Sequence, residues 1–241
     1  MPSASRNELI AALPYARRYA RALTGNQQAG DALVATALQE ASQDEDEAIN
    51  VRGKFYRHLT RLFKTQDQDG LTLNQRALML LVFLEGQSFA LSTQILNLDT
   101  THAEAIFHDA QDILEKNTHT DVLIIEDEAI IALDIQGLVE RCGHRVVGVA
   151  HCEADAVRLA EETKPGLILA DINLGVGGDG MHAVRRILEA HKAPVIFVTA
   201  YPERLLTGES QEPSFVITKP FEPMALSVAT YQAVTGGSLV V

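Results

Sequence analysis

Residues 167–174 read LILADINL, a short apolar run that ends in Asp171 and Asn173. Four further β-branched runs occur around it, and helical patterns separate them, which indicates a parallel sheet covered by helices on both faces. The predicted strands are Val122–Ile125, Arg145–Val149, Leu167–Ala170, Val195–Val198 and Phe215–Thr218. The helical patterns are Ile130–Arg141, Ala154–Thr163, Met181–Ala190 and Pro223–Val234, with a weak piece near Glu203–Leu206.

Polar residues follow these strands at their carboxyl ends. They are Glu126 and Asp127 after strand one, Asp171 and Asn173 after strand three, Thr199 after strand four and Lys219 after strand five. In an open parallel sheet, ligands bind outside the carboxyl ends of the strands where the strand order reverses; in a 2-1-3-4-5 sheet this point lies between strands one and three. We therefore expect the three carboxylates to converge there.

A cluster of carboxylates favours a bound cation, because like charges repel unless a cation shares the site. A small set of oxygen ligands suits Mg²⁺, which keeps several waters and binds beside phosphate. Any one of these acids, taken alone, is more simply a loop-end or helix-capping residue. Their agreement at four strand ends is what favours a metal site.

Residues 121–235 resemble the receiver domain of two-component response regulators, a flavodoxin-like, doubly wound α/β fold. The motifs that carry the resemblance are VLIIEDE (122–128), LILADINL (167–174) with Asp179-Gly180 beyond it, PVIFVTAY (194–201) and ITKPF (217–221). The resemblance implies that Asp171 accepts a phosphoryl group from a phosphohistidine. The donor would be a sensor histidine kinase or a phosphotransfer protein.

The same resemblance implies roles for the neighbouring residues. Asp127, Asp171 and the main-chain carbonyl of Asn173 would hold Mg²⁺, with Glu126 assisting through water, and Thr199 and Lys219 would contact the phosphoryl group. Many receivers carry an aromatic residue three places before the lysine, where this chain has Val216, with Phe215 one place earlier. Tyr201 is therefore the candidate switch aromatic, and Phe215 is expected to pack in the core.

The first half of the chain, from Ser5 to about Glu115, has helical periodicity throughout. The first predicted helix ends at Gly25, a second runs through Leu33–Ala41, a third covers Val51–Leu62, and three shorter ones follow. These span Asn74–Glu85, Phe89–Leu96 and a helix that opens with a capping box of Thr101 and Glu104.

This helical half resembles the extracytoplasmic-function sigma factors. Residues 13–41 look like their region two, and residues 71–114 look like region four, a helix-turn-helix. The predicted domains are a sigma-factor-like domain at 1–117, with region-two-like residues 5–65 and region-four-like residues 71–116, and a receiver domain at 118–241.

The charge of the helical half is wrong for DNA. The formal net charge of the whole chain is −12, and residues 71–116 hold two basic against six acidic residues. A recognition helix must bring positive charge to phosphate, and this surface would release no counterions. No direct contact with DNA is therefore expected.

A sigma-like domain followed by a receiver resembles the PhyR-type general stress regulators of alphaproteobacteria. By that resemblance, phosphorylation of Asp171 releases the sigma-like domain, which then sequesters a NepR-like anti-sigma factor and frees the true sigma factor. The chain would act by partner switching and would not be an enzyme.

Two alternatives stay open. In the first, the phosphorylated regulator binds promoter DNA or RNA polymerase directly through a basic stripe, for which the candidates are Arg17, Arg18, Arg21, Arg52, Arg57 and Arg61; the simpler interpretation is that these residues form a solvated helix face. In the second, the chain is an aspartyl phosphatase, but such enzymes usually place their nucleophile on the first strand.

The composition also predicts where the protein is located. Hydrophobic residues make up 46% of the chain and charged residues 22%, as in ordinary globular proteins. The first residues lack the pattern of a secretory signal, no apolar run is long enough for a membrane span, and only two cysteines occur. We therefore expect a cytoplasmic protein without disulfides and without membrane contact.

Overall fold

The computed structural model describes residues 6–64, 70–117, 119–175, 178–200 and 215–235. They form two compact units, a helical one and an α/β one. The domain boundary expected between residues 117 and 118 stays a prediction. Within the described part of the chain, no helix has the length and hydrophobicity needed to cross a bilayer.

The helical unit contains six α-helices and one wide turn among its described residues. They are α1 (Arg6–Thr24), α2 (Gln27–Gln43), α3 (Val51–Leu62), α4 (Leu73–Met79), a π-helical turn (Leu80–Leu84), α5 (Phe89–Leu96) and α6 (Thr100–Asn117). Gly25 ends α1 with a φ of 68° and Asn97 ends α5 with a φ of 53°, as expected of residues that tolerate the left-handed region.

Side chains cap these helices at their amino ends. The side-chain oxygens of Asn26, Asn50 and Ser88 accept backbone N–H groups from the first turns of α2, α3 and α5. Thr72 and Gln75 form a reciprocal capping box at the start of α4. Each cap satisfies a donor that the helix itself cannot use, which fixes where the helix begins.

Two predictions for this unit were wrong. The capping box of Thr101 and Glu104 does not form, because α6 begins at Thr100 and the carboxylate of Asp99 accepts the His102 N–H at 3.0 Å. The helix predicted at 74–85 is not uniform either, since its second half winds into the π-helical turn, in which the Glu85 N–H donates to the Leu80 carbonyl.

The core of the helical unit joins α1 to α3. Tyr19, Phe55, Tyr56 and Leu59 are fully buried, and the rings of Tyr19 and Tyr56 lie 4.9 Å apart. Burying each such side chain stabilises the fold by roughly 1.5–3 kcal/mol relative to exposure. Apolar burial is therefore what brings these two helices together.

The α/β unit is a five-stranded parallel sheet with helices between the strands. Its elements are β1 (Asp121–Ile125), α7 (Ala129–Arg141), β2 (Arg145–Ala150), α8 (Glu153–Thr163), β3 (Leu167–Asp171), α9 (Gly180–Ala190), β4 (Val195–Thr199), β5 (Phe215–Thr218) and α10 (Pro223–Thr235). The strand order is β2-β1-β3-β4-β5, which confirms the predicted doubly wound fold. The weak helical piece predicted near 203–206 lies outside the described residues.

The strand register aligns the carboxyl ends of the strands. Ile125, the last residue of β1, pairs with Ala150 at the end of β2 and with Ala170 near the end of β3. Glu126 therefore follows β1 at the edge where β2 and β3 also end. Thr199 pairs with Thr218 at the end of β4 and β5. Because parallel strands all point one way, the residues that follow them meet at one edge of the sheet.

Candidate functional site

Three carboxylates lie together at this edge. Each of Glu126, Asp127 and Asp171 offers an oxygen, and these oxygens all lie within 4.8 Å of one another. Glu126 is fully buried, and Asp127 and Asp171 are half-buried. The structure thus brings together the acids that the sequence placed after strands one and three.

Lys219 contacts two of the three acids. Its Nζ donates to Glu126 Oε2 at 2.8 Å and to Asp171 Oδ2 at 2.7 Å. Burial alone would lower the pKa of Lys219, but its hydrogen bonds to the Asp171 and Glu126 carboxylates outweigh burial and raise it. The lysine is therefore a cation at neutral pH and balances part of the negative charge of the cluster.

Glu126 is the least hydrated of the acids. Burial raises its pKa and the neighbouring Asp171 adds to the effect, while Lys219 opposes it. Its second oxygen, Oε1, is buried and has no hydrogen-bond partner among the described residues. A buried carboxylate oxygen normally requires a partner.

The acidic cluster suits a divalent cation. All three donors are carboxylate oxygens, the hard ligands that Mg²⁺ prefers, and an ion or its bound water would satisfy Glu126 Oε1. Gly175 leaves room for this arrangement, since a Cβ there would lie 2.9 Å from Asp127 Oδ2 and its φ is +65°. The residues present therefore fit the metal that the sequence predicts.

The loop after β3 holds Asp171 in position. The backbone N–H groups of Ile172 and Asn173 donate to Asp171 Oδ1 at 2.6 and 3.3 Å. The Gly180 N–H donates to the Ile172 carbonyl, and a Cβ on Gly180 would lie only 1.8 Å from the carbonyl oxygen of Asp171. Only glycine can therefore close this loop beside Asp171.

The remaining predicted residues lie on β4 and β5 or beyond them. Thr199 is buried at the end of β4, one residue past Val198, the partner of Asp171. The Lys219 N–H donates to the Thr199 carbonyl at 2.8 Å, which ties the two residues together. Phe215 is buried, as expected of a core residue, and so is Val216. Tyr201 lies outside the described residues.

The sequence interpretation missed His151 at this edge. Its Nδ1 donates to the Glu126 carbonyl at 2.8 Å and so holds the loop that carries the first two acids. The signal was available, because His151 directly follows β2, the strand beside β1. It was missed because a lone histidine after an edge strand has no motif of its own.

The six candidate arginines of the helical unit do not form an unpaired basic stripe, and they do not share one environment, since Arg18 and Arg21 are buried whereas Arg52 and Arg61 are exposed. Five of the six candidates pair with acids: Arg17 and Arg21 with Asp31, Arg18 with Glu85, Arg57 with Asp46 and Arg61 with Glu40. The sixth, Arg52, lies 3.3 Å from the ring centre of Tyr15. Their charge is largely neutralised within the unit.

Comparison with known proteins matches both halves. The family model described as the Sigma2 domain of PhyR matches residues 9–60, and the response regulator receiver domain model matches residues 122–230. The phyllosphere-induced regulator PhyR of Methylorubrum extorquens is 42% identical over 92% of this chain and 91% of its own length. The chain belongs to the PhyR family.

Solved structures of the PhyR family have the same architecture. The response regulator PhyR from Brucella abortus matches with a TM-score of 0.86 and 41% identity, over 95% of this chain and 93% of that one. The anti-anti-sigma factor PhyR from Bartonella quintana matches with a TM-score of 0.87 and 40% identity, over 95% and 94%. The predicted family and fold class are confirmed.

Proposed function

We propose that this chain is a response regulator that, once phosphorylated on Asp171, binds and sequesters an anti-sigma factor and so frees a sigma factor for the general stress response. The observation that carries the proposal is the union, in one chain, of a PhyR-type sigma-like half with a lysine-balanced acidic cluster. A relative in the same family is described as an anti-anti-sigma factor.

The proposed chemistry is transfer of a phosphoryl group to Asp171. A carboxylate oxygen attacks the phosphorus of a phosphohistidine on a sensor kinase or phosphotransfer protein, the P–N bond breaks as the O–P bond forms, and imidazole leaves with its proton on the other ring nitrogen. Lys219 Nζ, already 2.7 Å from Asp171 Oδ2, is placed to follow the incoming phosphoryl oxygens. Positioning and charge neutralisation supply most of the catalysis in such transfers.

A Mg²⁺ ion at the acidic cluster is part of the proposed mechanism. Asp127, Asp171 and the main-chain carbonyl of Asn173 would hold the ion, with Glu126 contacting it through water. The ion supplies positive charge beside the phosphoryl oxygens. The hydroxyl of Thr199, at the end of β4, would donate a hydrogen bond to the new phosphoryl group, and Tyr201 is the proposed switch aromatic.

The proposed output is a change in partner. The phosphoryl group adds roughly −1.5 to −2 charges at one point. Moving a two-state population from 1:99 to 99:1 takes about 5.5 kcal/mol, and a NepR-like anti-sigma factor that binds only the active form supplies part of it. The sigma-like domain is assigned to residues 1–117 and the receiver domain to 118–241. The role is regulatory, without enzymatic turnover, and belongs in the cytoplasm with the sigma factors it controls.

A capture experiment tests the proposal. Candidate anti-sigma proteins are immobilised, and wild type, Asp171→Ala and Asp134→Ala are applied with and without a small-molecule phosphodonor; Asp134 is an exposed acid of α7 that is not one of the three clustered carboxylates. We expect the phosphodonor to increase capture of wild type and of Asp134→Ala but not of Asp171→Ala. Equal capture of all three proteins under both conditions would remove any role for Asp171.

A further inference from the structure

A buried ion pair links two segments of the helical unit that are distant in sequence. Arg18 of α1 donates from Nε and Nη2 to the two carboxylate oxygens of Glu85, each at 2.8 Å. The hydroxyl of Tyr56, from α3, donates to Glu85 Oε2 at 2.7 Å. The side chains of Arg18 and Glu85 are 7% and 1% exposed, so water does not screen the pair.

The protonation states of Tyr56 and Arg18 are fixed by their surroundings. Burial raises the pKa of Tyr56 well above its usual range, so the hydroxyl stays protonated and donates. Burial alone would lower the pKa of Arg18, but the Glu85 carboxylate outweighs burial and raises it. Arg18 is therefore a permanent cation beside a buried anion.

A buried pair of this kind contributes specificity more than stability. Removal of both charges from water costs about as much as their attraction returns, so apolar residues of similar volume are often as stable. An unpaired buried charge, by contrast, costs several kcal/mol. Two segments joined in this way are stable in the one arrangement that pairs the charges. An arrangement in which one segment has shifted leaves a buried charge unpaired and is less stable.

A second polar contact joins α3 to α5. Arg57 of α3 donates from Nε to the Ile95 carbonyl at 3.3 Å and from Nη2 to the Gln94 carbonyl at 3.4 Å, both at the carboxyl end of α5. Gly53 keeps this region close-packed, because a Cβ there would lie 2.3 Å from Ile49 Cγ2 and 3.3 Å from the side chain of Ile95. The α3 helix thus contacts α5 closely.

The π-helical turn determines where Glu85 lies. Its backbone bond runs from the Glu85 N–H to the Leu80 carbonyl, one residue further than an α-helical bond, and the Gln87 N–H then closes the helix end on the Leu81 carbonyl past Gly86, whose φ is 65°. Such turns are rare and recur at functional positions. Here the turn changes the direction in which Glu85 leaves α4 relative to a regular helix.

We propose that Arg18, Tyr56 and Glu85 form a buried clasp that fixes the 70–117 segment in one position on the 6–64 segment. A partner that contacts both segments would then meet a surface of defined shape. This consequence for anti-sigma binding rests on the proposed function, whereas the position of the segments does not.

Distance measurement tests the clasp in the full-length chain without a partner. Cys142 and Cys152 are replaced by serine, and spin labels are placed on the exposed residues Ala35 of α2 and Ala105 of α6. The variant Arg18→Met/Tyr56→Phe/Glu85→Leu replaces the clasp by apolar groups of similar size. We expect it to keep its helix content and to lose the single narrow distance distribution of the parent.

A retained narrow distribution in the folded triple variant would overturn the proposal, because the segments would then be positioned without the clasp. If the triple variant does not fold, the variants Glu85→Gln and Asp31→Asn are compared instead. Glu85→Gln weakens the clasp, whereas Asp31→Asn weakens only an arginine–carboxylate pair between α1 and α2. Broadening in Glu85→Gln alone supports the clasp. Equal distributions in both variants overturn it.

Anti-sigma capture separates this inference from the proposed function. If the phosphorylated parent captures an anti-sigma protein, and the triple variant captures it less and has a broader distance distribution, both hold. If the parent captures none but the distances still broaden in the triple variant, the clasp stands and the proposed function fails. If capture by the triple variant equals that of the parent and its distances stay narrow, the clasp fails while the proposed function stands.

Discussion

Lys219 is the residue on which the charge balance of the acidic cluster depends. It contacts Glu126 and Asp171 at once, and a carboxylate oxygen of Asp127 lies near by. In the proposed mechanism, the phosphoryl group would approach Asp171 Oδ2, the oxygen that already accepts a hydrogen bond from Lys219. The same ammonium therefore stabilises the cluster and would compete with a divalent cation for its carboxylate ligands.

Replacement of Lys219 by methionine should make the fold more dependent on magnesium. The two carboxylates lose their cation, so the free energy of unfolding in EDTA should fall by about 1–3 kcal/mol. Added Mg²⁺ should then raise Tm more in the variant than in wild type, because the ion meets no competing charge. Thermal unfolding with EDTA and with MgCl₂ measures both effects.

Lys192→Met, at an exposed lysine of the same domain, serves as the control. Its magnesium-induced shift in Tm should equal that of wild type. A Lys219→Met shift no larger than this would show that the lysine and the ion do not compete for the same carboxylates.

At the scale of elements, the first two helices are joined by charge as well as by apolar contact. Asp31 of α2 accepts hydrogen bonds from Arg17 and from Arg21 of α1, and Arg21 is fully buried. Partial burial alone would raise the pKa of Asp31, but the hydrogen bonds and charges of the two arginines lower it below its usual value. The pairing therefore contributes stability that depends on pH.

The sign of this dependence follows from the lowered pKa. A carboxyl group whose pKa is lower in the folded state stabilises the fold fully above its usual pKa, and the contribution is lost as the pH falls through the folded value. We expect Asp31→Asn to be less stable than wild type by roughly 1 kcal/mol near neutral pH, since a third of the Asp31 side chain is exposed.

Urea unfolding at a series of pH values measures this difference. It should shrink below about pH 4 and vanish once Asp31 is protonated, because a neutral carboxyl resembles the amide. Asp134→Asn, at an exposed acid on α7, should differ little from wild type at any pH. A constant Asp31→Asn deficit down to low pH would contradict the ionic origin of the effect.

At the scale of the whole molecule, charge favours a protein partner over DNA. The chain carries 32 acidic against 20 basic residues, and arginines that could have formed a basic stripe are paired with acids. Neutralised arginines release few counterions, so the main source of affinity for a phosphate backbone is missing. A sigma-like shape without this source of affinity fits a mimic of a sigma factor.

The phosphorylated chain should therefore show no salt-dependent binding to promoter duplexes. Fluorescence anisotropy over a series of salt concentrations measures this, and capture of an anti-sigma protein in the same buffer verifies that the sample is active. Each phosphate contact would add about 0.9 to the slope of log K against log salt. A steep slope would revive direct DNA binding as the output.

Most of the fold was predictable because its signals are local. The short β-branched runs that predicted the strands lie within one residue of the observed strands, and Gly25 and Asn97 ended the helices expected of them. The errors also lie at helix termini, where neighbouring residues compete. Asp99 rather than Thr101 caps α6, because both can accept an N–H and only the packed structure selects between them.

The acidic edge was predictable because parallel strands bring the residues that follow them to one place. Gly180 shows the limit of that argument. The sequence marks it as part of a motif, but only the folded loop shows that a Cβ there would overlap the carbonyl of Asp171. His151 shows the same limit, since its position after β2 can be read from the sequence but only the folded structure shows its hydrogen bond to the Glu126 carbonyl.

The sequence by itself determined the two halves, the order of strands and helices, and the acids at the sheet edge, since periodicity and turn residues act over a few positions. Only the tertiary structure decided what the charged residues of the helical half do. Arg18 and Glu85 are 67 positions apart, and no local pattern distinguishes a buried arginine from a solvated one. Pairing across such a separation depends on packing, because burial is what makes an unpaired charge costly.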